Sequence, residues 1–186
     1  MNATVSFGDV PVGDDHPPVI LSDIGTFFGQ NLDEAKFLMQ VVRDSGSRFL
    51  KGEILQNIDF CIDDDTPEKY VVDGSVIRER YRGLIERKVL SLEQYESIFE
   101  HAHELDLLVV MSVYDVQGAD FAASHGAVAL KIASSNIVHA PLIAHVAQFG
   151  LPVILDTGKS TLEEIARAVQ WAALSYTHLR AHETGR

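Results

Sequence analysis

Five short apolar segments follow one another along this chain, and a helical pattern comes after each of them. We predict strands at residues 19–25, 48–54, 107–113, 127–133 and 152–155. Regularly alternating polar residues do not interrupt these runs, which is typical of strands buried on both faces of a parallel sheet. The sequence therefore predicts an α/β fold in which helices cover the sheet, as either an open doubly wound sheet or a closed barrel.

Capping residues mark where the predicted helices begin. Asn31 precedes an amphipathic segment, and Ser91 is followed three residues later by Gln94, the spacing of a capping box. Further helices are predicted at residues 117–124, 141–149 and 161–173. Either Ser160 or Thr161 caps the last of them. Polar residues follow several strands, at the carboxyl end where both architectures bind their ligands.

Three parts of the chain lack this pattern. Residues 1–16 read as a polar leader, and residues 174–186 show neither strand nor helix periodicity and look foreign to the domain. An acidic stretch between the second strand and Ser91 reads as a long loop, a feature that is uncommon and often functional. The folded domain is therefore expected at residues 17–173. Because a closed barrel of this type needs eight units, we expect a partial barrel of five.

Composition and charge exclude several classes of protein. The 186 residues include 27 Asp and Glu against 15 Lys and Arg, a net charge of −12 that would repel the phosphate backbone of a nucleic acid. No apolar run approaches the roughly 18 residues that a membrane span needs. The first residues lack the pattern of a signal peptide and Cys61 is the single cysteine, so we expect a cytoplasmic protein.

The most specific motifs lie between residues 130 and 165. They read Leu-Lys-Ile-Ala-Ser-Ser at 130–135, Pro-Leu-Ile at 141–143 and Pro-Val-Ile-Leu-Asp-Thr-Gly-Lys-Ser-Thr-Leu-Glu-Glu-Ile at 152–165. Upstream stand Ser-Asp-Ile-Gly at 22–25, Leu-Lys-Gly-Glu at 50–53 and Met-Ser-Val-Tyr-Asp at 111–115. In this order they resemble the sialic acid synthase family, the synthases of N-acetylneuraminate and other nonulosonic acids. The family has Ala-Glu-Ile-Gly, Val-Lys-Phe-Gln and Ser-Thr-Pro-Phe-Asp at the three upstream motifs.

The resemblance covers about residues 17–173 and implies a (β/α)8 barrel. It implies an enzyme that condenses phosphoenolpyruvate with an N-acetylated amino sugar aldehyde, with the help of a divalent metal, Mn²⁺ or Mg²⁺. A homodimer is a further expectation. The family's metal-binding His pair lies on strands six to eight, and we expect this chain to end before them. The metal ligands are therefore expected outside this chain.

The resemblance also assigns roles to individual residues. It implies a catalytic role for Asp23, which stands where the family has a Glu near the reacting carbons. It implies phosphoenolpyruvate binding by Lys51, Ser112, Lys131, Ser134 and Asp156, and sugar binding by Glu53 and Asn136. Lysine cations and serine hydroxyls suit a ligand with a carboxylate and a phosphate.

Several of these side chains also have a purely structural interpretation. Either lysine could pair with a neighbouring acid such as Glu53 or Asp156. Either serine hydroxyl could instead cap the helix that follows it. These alternatives stay open at the level of sequence, because pairing and capping use the same residue types as anion binding.

The chain departs from the family pattern within the predicted site. The departures are Asp23 for Glu, Glu53 for Gln, Asp156 for Ser, Asn136 for Glu, and Thr26-Phe27-Phe28 for Asn-His. A carboxylate at position 156 would repel a bound phosphate unless Lys131 or Lys159 neutralises it. Two other functions therefore stay open. One is a homologue that binds an anionic sugar or a synthase partner without catalysis, and the other is an aldolase in which Lys131 forms a Schiff base with a keto acid.

Overall fold

The fold is a parallel sheet with helices on its outer face, seen in a computed structural model that describes residues 4–63 and 67–183, with side chains up to residue 174. The strands are β1 (Val5–Phe7), β2 (Val10–Val12), β3 (Ser22–Gly25), β4 (Phe49–Ile54), β5 (Pro67–Val72), β6 (Ser75–Arg80), β7 (Leu108–Val113), β8 (Ala129–Ile132) and β9 (Val153–Leu155). The α-helices are α1 (Leu32–Asp44), α2 (Tyr81–Glu86), α3 (Leu92–Glu104), α4 (Val116–Ser124), α5 (Ala140–Val146) and α6 (Leu162–Glu183).

The main sheet has the strand order of a barrel. Its five strands lie in the order β3-β4-β7-β8-β9, and every neighbouring pair is parallel. Each new strand is therefore added beside the previous one, whereas a doubly wound sheet reverses direction at a switch point. The predicted α/β fold with five successive units of barrel type is confirmed.

The helices begin where the capping residues predicted. The Asn31 side chain accepts hydrogen bonds from the backbone of the first turn of α1, and Ser91 and Gln94 form both bonds of a capping box at α3. Of the two alternatives at α6, Thr161 is the cap. Its Oγ1 accepts from Glu164 N at 3.2 Å, and Glu164 Oε2 accepts from Thr161 N at 2.8 Å.

The outer face of the sheet forms the main core against the helices. Alternate residues of each strand point this way, so β4 contributes Leu50 and Ile54, and β7 contributes Val109, Met111 and Val113. These side chains pack with α1, α3, α4 and α5, whose buried positions belong to the same cluster. Alternate residues of the strands thus pack against the apolar faces of the helices, as α/β folds require.

The inner face of the sheet is divided along the strand direction. Near the amino ends it is apolar, where Phe49, Val110 and Ala129 form a second buried cluster. Phe7 of the β1–β2 hairpin is 6% exposed and closes this cluster, with its ring centroid 6.2 Å from that of Phe49. Toward the carboxyl ends, Lys51, Ser112 and Lys131 occupy the next inward positions. Polar groups are thus concentrated at one end of the inner face.

The segment predicted as a polar leader contains structure that the sequence analysis did not predict. Its two strands have three residues each, too few to show a period, and they turn at Gly8, whose φ is +61°. The turn places Phe7 and Val10 against the apolar end of the inner face. The hairpin therefore serves as a plug for the amino end of the sheet.

The prediction of a long loop in the acidic stretch is wrong for most of that segment. It contains a three-residue helical turn at Ile58–Phe60, the antiparallel hairpin β5–β6 and helix α2. Asp73 and Gly74 both have positive φ at the tip of the hairpin. Asp-Gly between two strands favours such a tight turn, so the signal was present in the sequence. Residues 64 and 65 of the predicted acidic run lie outside the described residues.

The prediction of no helix after residue 174 is also wrong, since α6 continues to Glu183. Residues 174–183 include no Gly or Pro, and Ala, Leu, Arg and Glu favour helix even without an amphipathic pattern. Among the described residues, no helix combines the length and the apolar character needed to cross a bilayer.

Replacing the plug residue tests the packing of the hairpin. We expect Phe7→Ala to lower the free energy of unfolding by about 3 kcal/mol, because it empties a buried aromatic site. Val5→Ala is the matched control on the same strand, since Val5 is 47% exposed and its loss should cost under about 0.5 kcal/mol. Urea denaturation measures both values, and equal effects of the two changes would contradict the packing described.

Removing the cap of α6 distinguishes the two candidate residues. We expect Thr161→Ala to lower the free energy of unfolding by about 1 kcal/mol, because the first turn loses its side-chain acceptor. Ser160→Ala should cost clearly less, since the Ser160 hydroxyl donates only to the Gly158 carbonyl oxygen at 3.2 Å. A larger effect at Ser160 than at Thr161 in the same denaturation experiment would show that the cap is misassigned.

Candidate functional site

Most of the residues assigned by resemblance meet at the carboxyl end of the inner face. The strand register explains why, because Glu53 lies opposite Ser112, and Ser112 lies opposite Lys131. Asp23 occupies the neighbouring position on β3, opposite Lys51. Asp156 directly follows β9, where its backbone N–H donates to the Ile132 carbonyl oxygen at 3.0 Å. Five separate strands thus bring their polar side chains to one edge.

Lys51 is the buried charge of this edge. It is 5% exposed, and its Nζ lies 3.0 Å from Asp23 Oδ2 and 3.4 Å from Glu53 Oε1. Asp23 is held from its other side, because its Oδ1 accepts from Gly25 N at 2.7 Å, next to an irregularity in the β3–β4 register. A buried ammonium group needs such partners, since removing it from water is costly.

Lys131 and Asp156 form a second ion pair. Lys131 Nζ lies 3.0 Å from Asp156 Oδ2, and Asp156 Oδ1 accepts from Gly158 N at 3.1 Å. The hydrogen bond from Lys131 lowers the pKa of Asp156 below its ordinary value, and the Gly158 N–H and the charge of Lys51 lower it further. Both lysines therefore pair with acids, which was the structural alternative for them, and Lys131 supplies the neutralisation that position 156 requires.

The two serines do not cap helices. Ser112 is 1% exposed and lies in the middle of the polar edge. The helix after it, α4, is capped by Asp115, whose Oδ1 accepts from Gly118 N at 2.6 Å. Ser134 starts a short helical turn that has no side-chain cap, and it lies beside Gly158 and Asp156. Their hydroxyls are therefore placed at the site rather than at a helix end.

Three neighbouring cavities open along this edge. The first, the Glu53 cavity, has a volume of about 370 Å³ and is lined by Asp23, Glu53 and Tyr114 among others. The second, the Asn136 cavity, has about 440 Å³ and shares the wall residues Phe60, Tyr81 and Tyr114 with the first. The third, the Asp156 cavity, has about 550 Å³ and contains Ser134, Asp156 and Lys159.

The aromatic wall between the first two cavities was missed by sequence reasoning. Tyr114 stands at the end of β7 and stacks on Phe60, with 5.2 Å between the ring centroids, and Tyr81 is the first residue of α2. Phe60 and Tyr81 belong to the segment that was predicted as a loop. The sequence did contain a signal for Tyr114, because in the Met-Ser-Val-Tyr-Asp motif this tyrosine adds a hydroxyl group at a position where the family has Phe. The Asn136 side chain donates to the Tyr114 carbonyl oxygen at 3.1 Å, which ties this predicted sugar-binding residue to the same wall.

The described residues do not by themselves fit a divalent metal ion. Among residues 4–63 and 67–174, whose side chains the structure describes, no cluster of three or more His, Cys, Asp or Glu side chains is placed to hold one. The two carboxylates of the Glu53 cavity, Asp23 and Glu53, both contact the Lys51 ammonium group. A metal ion between them would be repelled by the Lys51 ammonium group, so these two carboxylates act as ion-pair partners of Lys51.

Comparisons with known proteins find relatives that match most of this chain. The chain is 28% identical to the pseudaminic acid synthase of Helicobacter pylori, over 82% of this chain and 45% of that protein. It is 25% identical to the N,N'-diacetyllegionaminic acid synthase of Legionella pneumophila, over 87% of this chain and 46% of that protein. The chain thus spans less than half the length of these relatives.

A solved structure has the same fold. The N-acetylneuraminic acid synthetase of Leptospira borgpetersenii, crystallised with citrate, superimposes with a TM-score of 0.80 at 20% identity, over 94% of this chain and 56% of that one. The sequence profile of the NeuB family matches residues 38–184, which is most of the chain. The chain therefore belongs to the NeuB family.

Proposed function

We propose that this chain forms the phosphoenolpyruvate-binding part of a nonulosonic acid synthase, which condenses phosphoenolpyruvate with an N-acetylated amino sugar aldehyde and releases phosphate. The observation that carries the proposal is the pair of lysines, Lys51 and Lys131, on the inner face of β4 and β8, with the buried Ser112 on the strand between them. Two cations and a hydroxyl suit a ligand with a phosphate and a carboxylate. The related pseudaminic acid and N,N'-diacetyllegionaminic acid synthases support this reaction class.

The proposed reaction forms one carbon–carbon bond, and at C2 it exchanges the bond to the phosphate oxygen for a bond to an oxygen from water. C3 of phosphoenolpyruvate attacks the aldehyde carbon, and the aldehyde oxygen takes up a proton. Water then adds to C2, and the bond from C2 to the phosphate oxygen breaks, which leaves a keto acid and inorganic phosphate. Lys51, Lys131, Ser112 and Ser134 bind the two anionic groups. Asp23, at the rim of the Glu53 cavity, orients the water or moves protons as the tetrahedral intermediate collapses.

The ion pair of Lys131 argues against the Schiff-base alternative. A Schiff base forms from a neutral amine. Lys131 Nζ instead contacts a carboxylate at 3.0 Å, at a polar edge rather than in an apolar pocket. The contact fits anion binding better. Binding without turnover remains the second candidate function, since each of the three cavities is lined by at least one departure from the family pattern.

The setting of the reaction is also proposed rather than observed. The family resemblance implies a divalent metal, Mn²⁺ or Mg²⁺, which would act as a Lewis acid on the aldehyde; we assign its ligands to residues outside this chain. We further propose a cytoplasmic location and a homodimer.

Binding of phosphoenolpyruvate to single-residue variants tests the assignment of the lysines. We expect Lys131→Met to weaken binding more than about tenfold, because it removes a cation and leaves the Asp156 carboxylate unpaired. We expect Asp156→Ser to tighten binding about tenfold, because it frees Lys131 and removes a repelling charge. Isothermal titration calorimetry measures the dissociation constants, with Lys36→Met as the control, since Lys36 lies on α1 outside the sheet.

A phosphate-release assay then decides between the two candidate functions. The complete protein that contains this chain is given phosphoenolpyruvate, Mn²⁺ or Mg²⁺ and a panel of N-acetyl hexosamines, because the metal ligands are assigned outside this chain. We expect phosphate release with at least one sugar. Binding without release would favour the non-catalytic homologue. Failure to bind phosphoenolpyruvate, or equal weakening by Lys36→Met and Lys131→Met, would contradict the proposed site.

A further inference from the structure

Glu53 is held by two donors from opposite sides. Its Oε1 lies 3.4 Å from Lys51 Nζ, and its Oε2 accepts a hydrogen bond from the Tyr114 hydroxyl at 2.9 Å. The carboxylate also lines the Glu53 cavity, together with Asp23. Each carboxylate oxygen has a second lone pair, so Glu53 can accept a further hydrogen bond from a molecule in that cavity.

Tyr114 is itself fixed in place. Its ring stacks on Phe60 at an interplanar angle of 23°, and its carbonyl oxygen accepts from Asn136 Nδ2 at 3.1 Å. Burial and the nearby Glu53 carboxylate raise the pKa of the Tyr114 phenol above its ordinary value, so the hydroxyl remains a donor at neutral pH. A rigid donor at this position determines which way the Glu53 carboxylate faces.

The position of Tyr114 links the two cavities. Its side chain lines both the Glu53 cavity and the Asn136 cavity, and it contacts one predicted sugar-binding residue through its hydroxyl and the other through its carbonyl oxygen. A glutamine at position 53 could both donate and accept hydrogen bonds, whereas the ionised Glu53 only accepts. The cavity side of Glu53 therefore recognises a hydroxyl or N–H group and disfavours an acceptor oxygen without a hydrogen.

We propose that Tyr114 is a positioning residue that orients Glu53 as the acceptor for one hydroxyl or N–H group of the sugar substrate, and that the pair thereby selects sugars with a donor at that place. This inference rests on the proposed synthase function. The Tyr114–Glu53 hydrogen bond acts on the sugar and leaves phosphoenolpyruvate to the lysines.

Steady-state kinetics of three variants test the role of Tyr114. We expect Tyr114→Phe to raise the KM for the sugar about tenfold while the KM for phosphoenolpyruvate changes less than about twofold. Glu53→Gln alone should raise the KM for the sugar by a similar factor. The double variant Tyr114→Phe/Glu53→Gln carries the residue types of the family motifs at both positions, and it should be less impaired than the product of the two single effects.

The control removes a tyrosine–glutamate hydrogen bond elsewhere. The Tyr70 hydroxyl donates to Glu79 on the β5–β6 hairpin, outside the residues that line the three cavities. Tyr70→Phe should leave both KM values unchanged. If Tyr114→Phe changes neither the sugar KM nor the discrimination against deoxy sugars, the positioning role is overturned while the synthase function stands.

A titration separates failure of this inference from failure of the proposed function. Carbon-13 NMR of ring-labelled tyrosine follows the Tyr114 phenol, identified by its absence in Tyr114→Phe. We expect Glu53→Gln to lower the pKa of that phenol toward its ordinary value, because a neighbouring negative charge is removed. No change would show that the hydrogen bond is absent and would overturn the inference. A wild type that releases no phosphate, together with this fall in the phenol pKa, would overturn the synthase function while the Tyr114–Glu53 hydrogen bond stands.

Discussion

The positive charge of Lys51, buried in the middle of β4, is the constraint on which the polar edge depends. An ammonium group that is 5% exposed is tolerated only with close anionic partners, and Asp23 and Glu53 supply them from β3 and from β4 itself. A second hydrogen bond holds each carboxylate beside Lys51. Asp23 accepts from Gly25 N, and Glu53 accepts from the Tyr114 hydroxyl. The charge of Lys51 also reaches Asp156, whose pKa it helps to lower.

The division of the inner face makes room for this charge. The apolar cluster of Phe49, Val110 and Ala129, plugged by Phe7, stabilises the amino end of the sheet without help from the polar residues. Hydrophobic packing on the outer face covers the other side of the same strands. The polar side chains at the carboxyl end are therefore not needed for core packing and can serve binding. Barrel enzymes share this arrangement.

Departures from the family motifs occur in contacting pairs. Gly52 stands where the family has Phe, and Met111, directly opposite it, stands where the family has Ser. A Cβ on Gly52 would lie 3.0 Å from Met111 Sδ, so the larger residue occupies the space next to the smaller one. Glu53 and Tyr114 form a second such pair through their hydrogen bond. The first pair lies on the outer face, where Met111 belongs to the main core, and the second lies at the polar edge, so contacting residues depart together in both places.

The sequence predicted the elements that show a regular apolar pattern or a capping residue, which include the five strands of the main sheet and the capping box at Ser91. The order of strands and polar residues also predicted a site at the carboxyl ends of the strands. Sequence reasoning missed contacts between distant residues, such as Tyr114 and Glu53, which are 61 positions apart. It also missed the β1–β2 hairpin, since three-residue strands show no period. At Asp73-Gly74 the turn signal was present, but the acidic composition around it was taken for a loop.

The most direct test of the account is a crystal structure of the protein with phosphoenolpyruvate. The account predicts the ligand at the carboxyl end of the sheet, with its anionic oxygens within hydrogen-bonding distance of Lys51 Nζ and Lys131 Nζ and with the Asp156 carboxylate turned away from Lys131. A ligand bound elsewhere, or both ion pairs unchanged at saturating phosphoenolpyruvate, would contradict it.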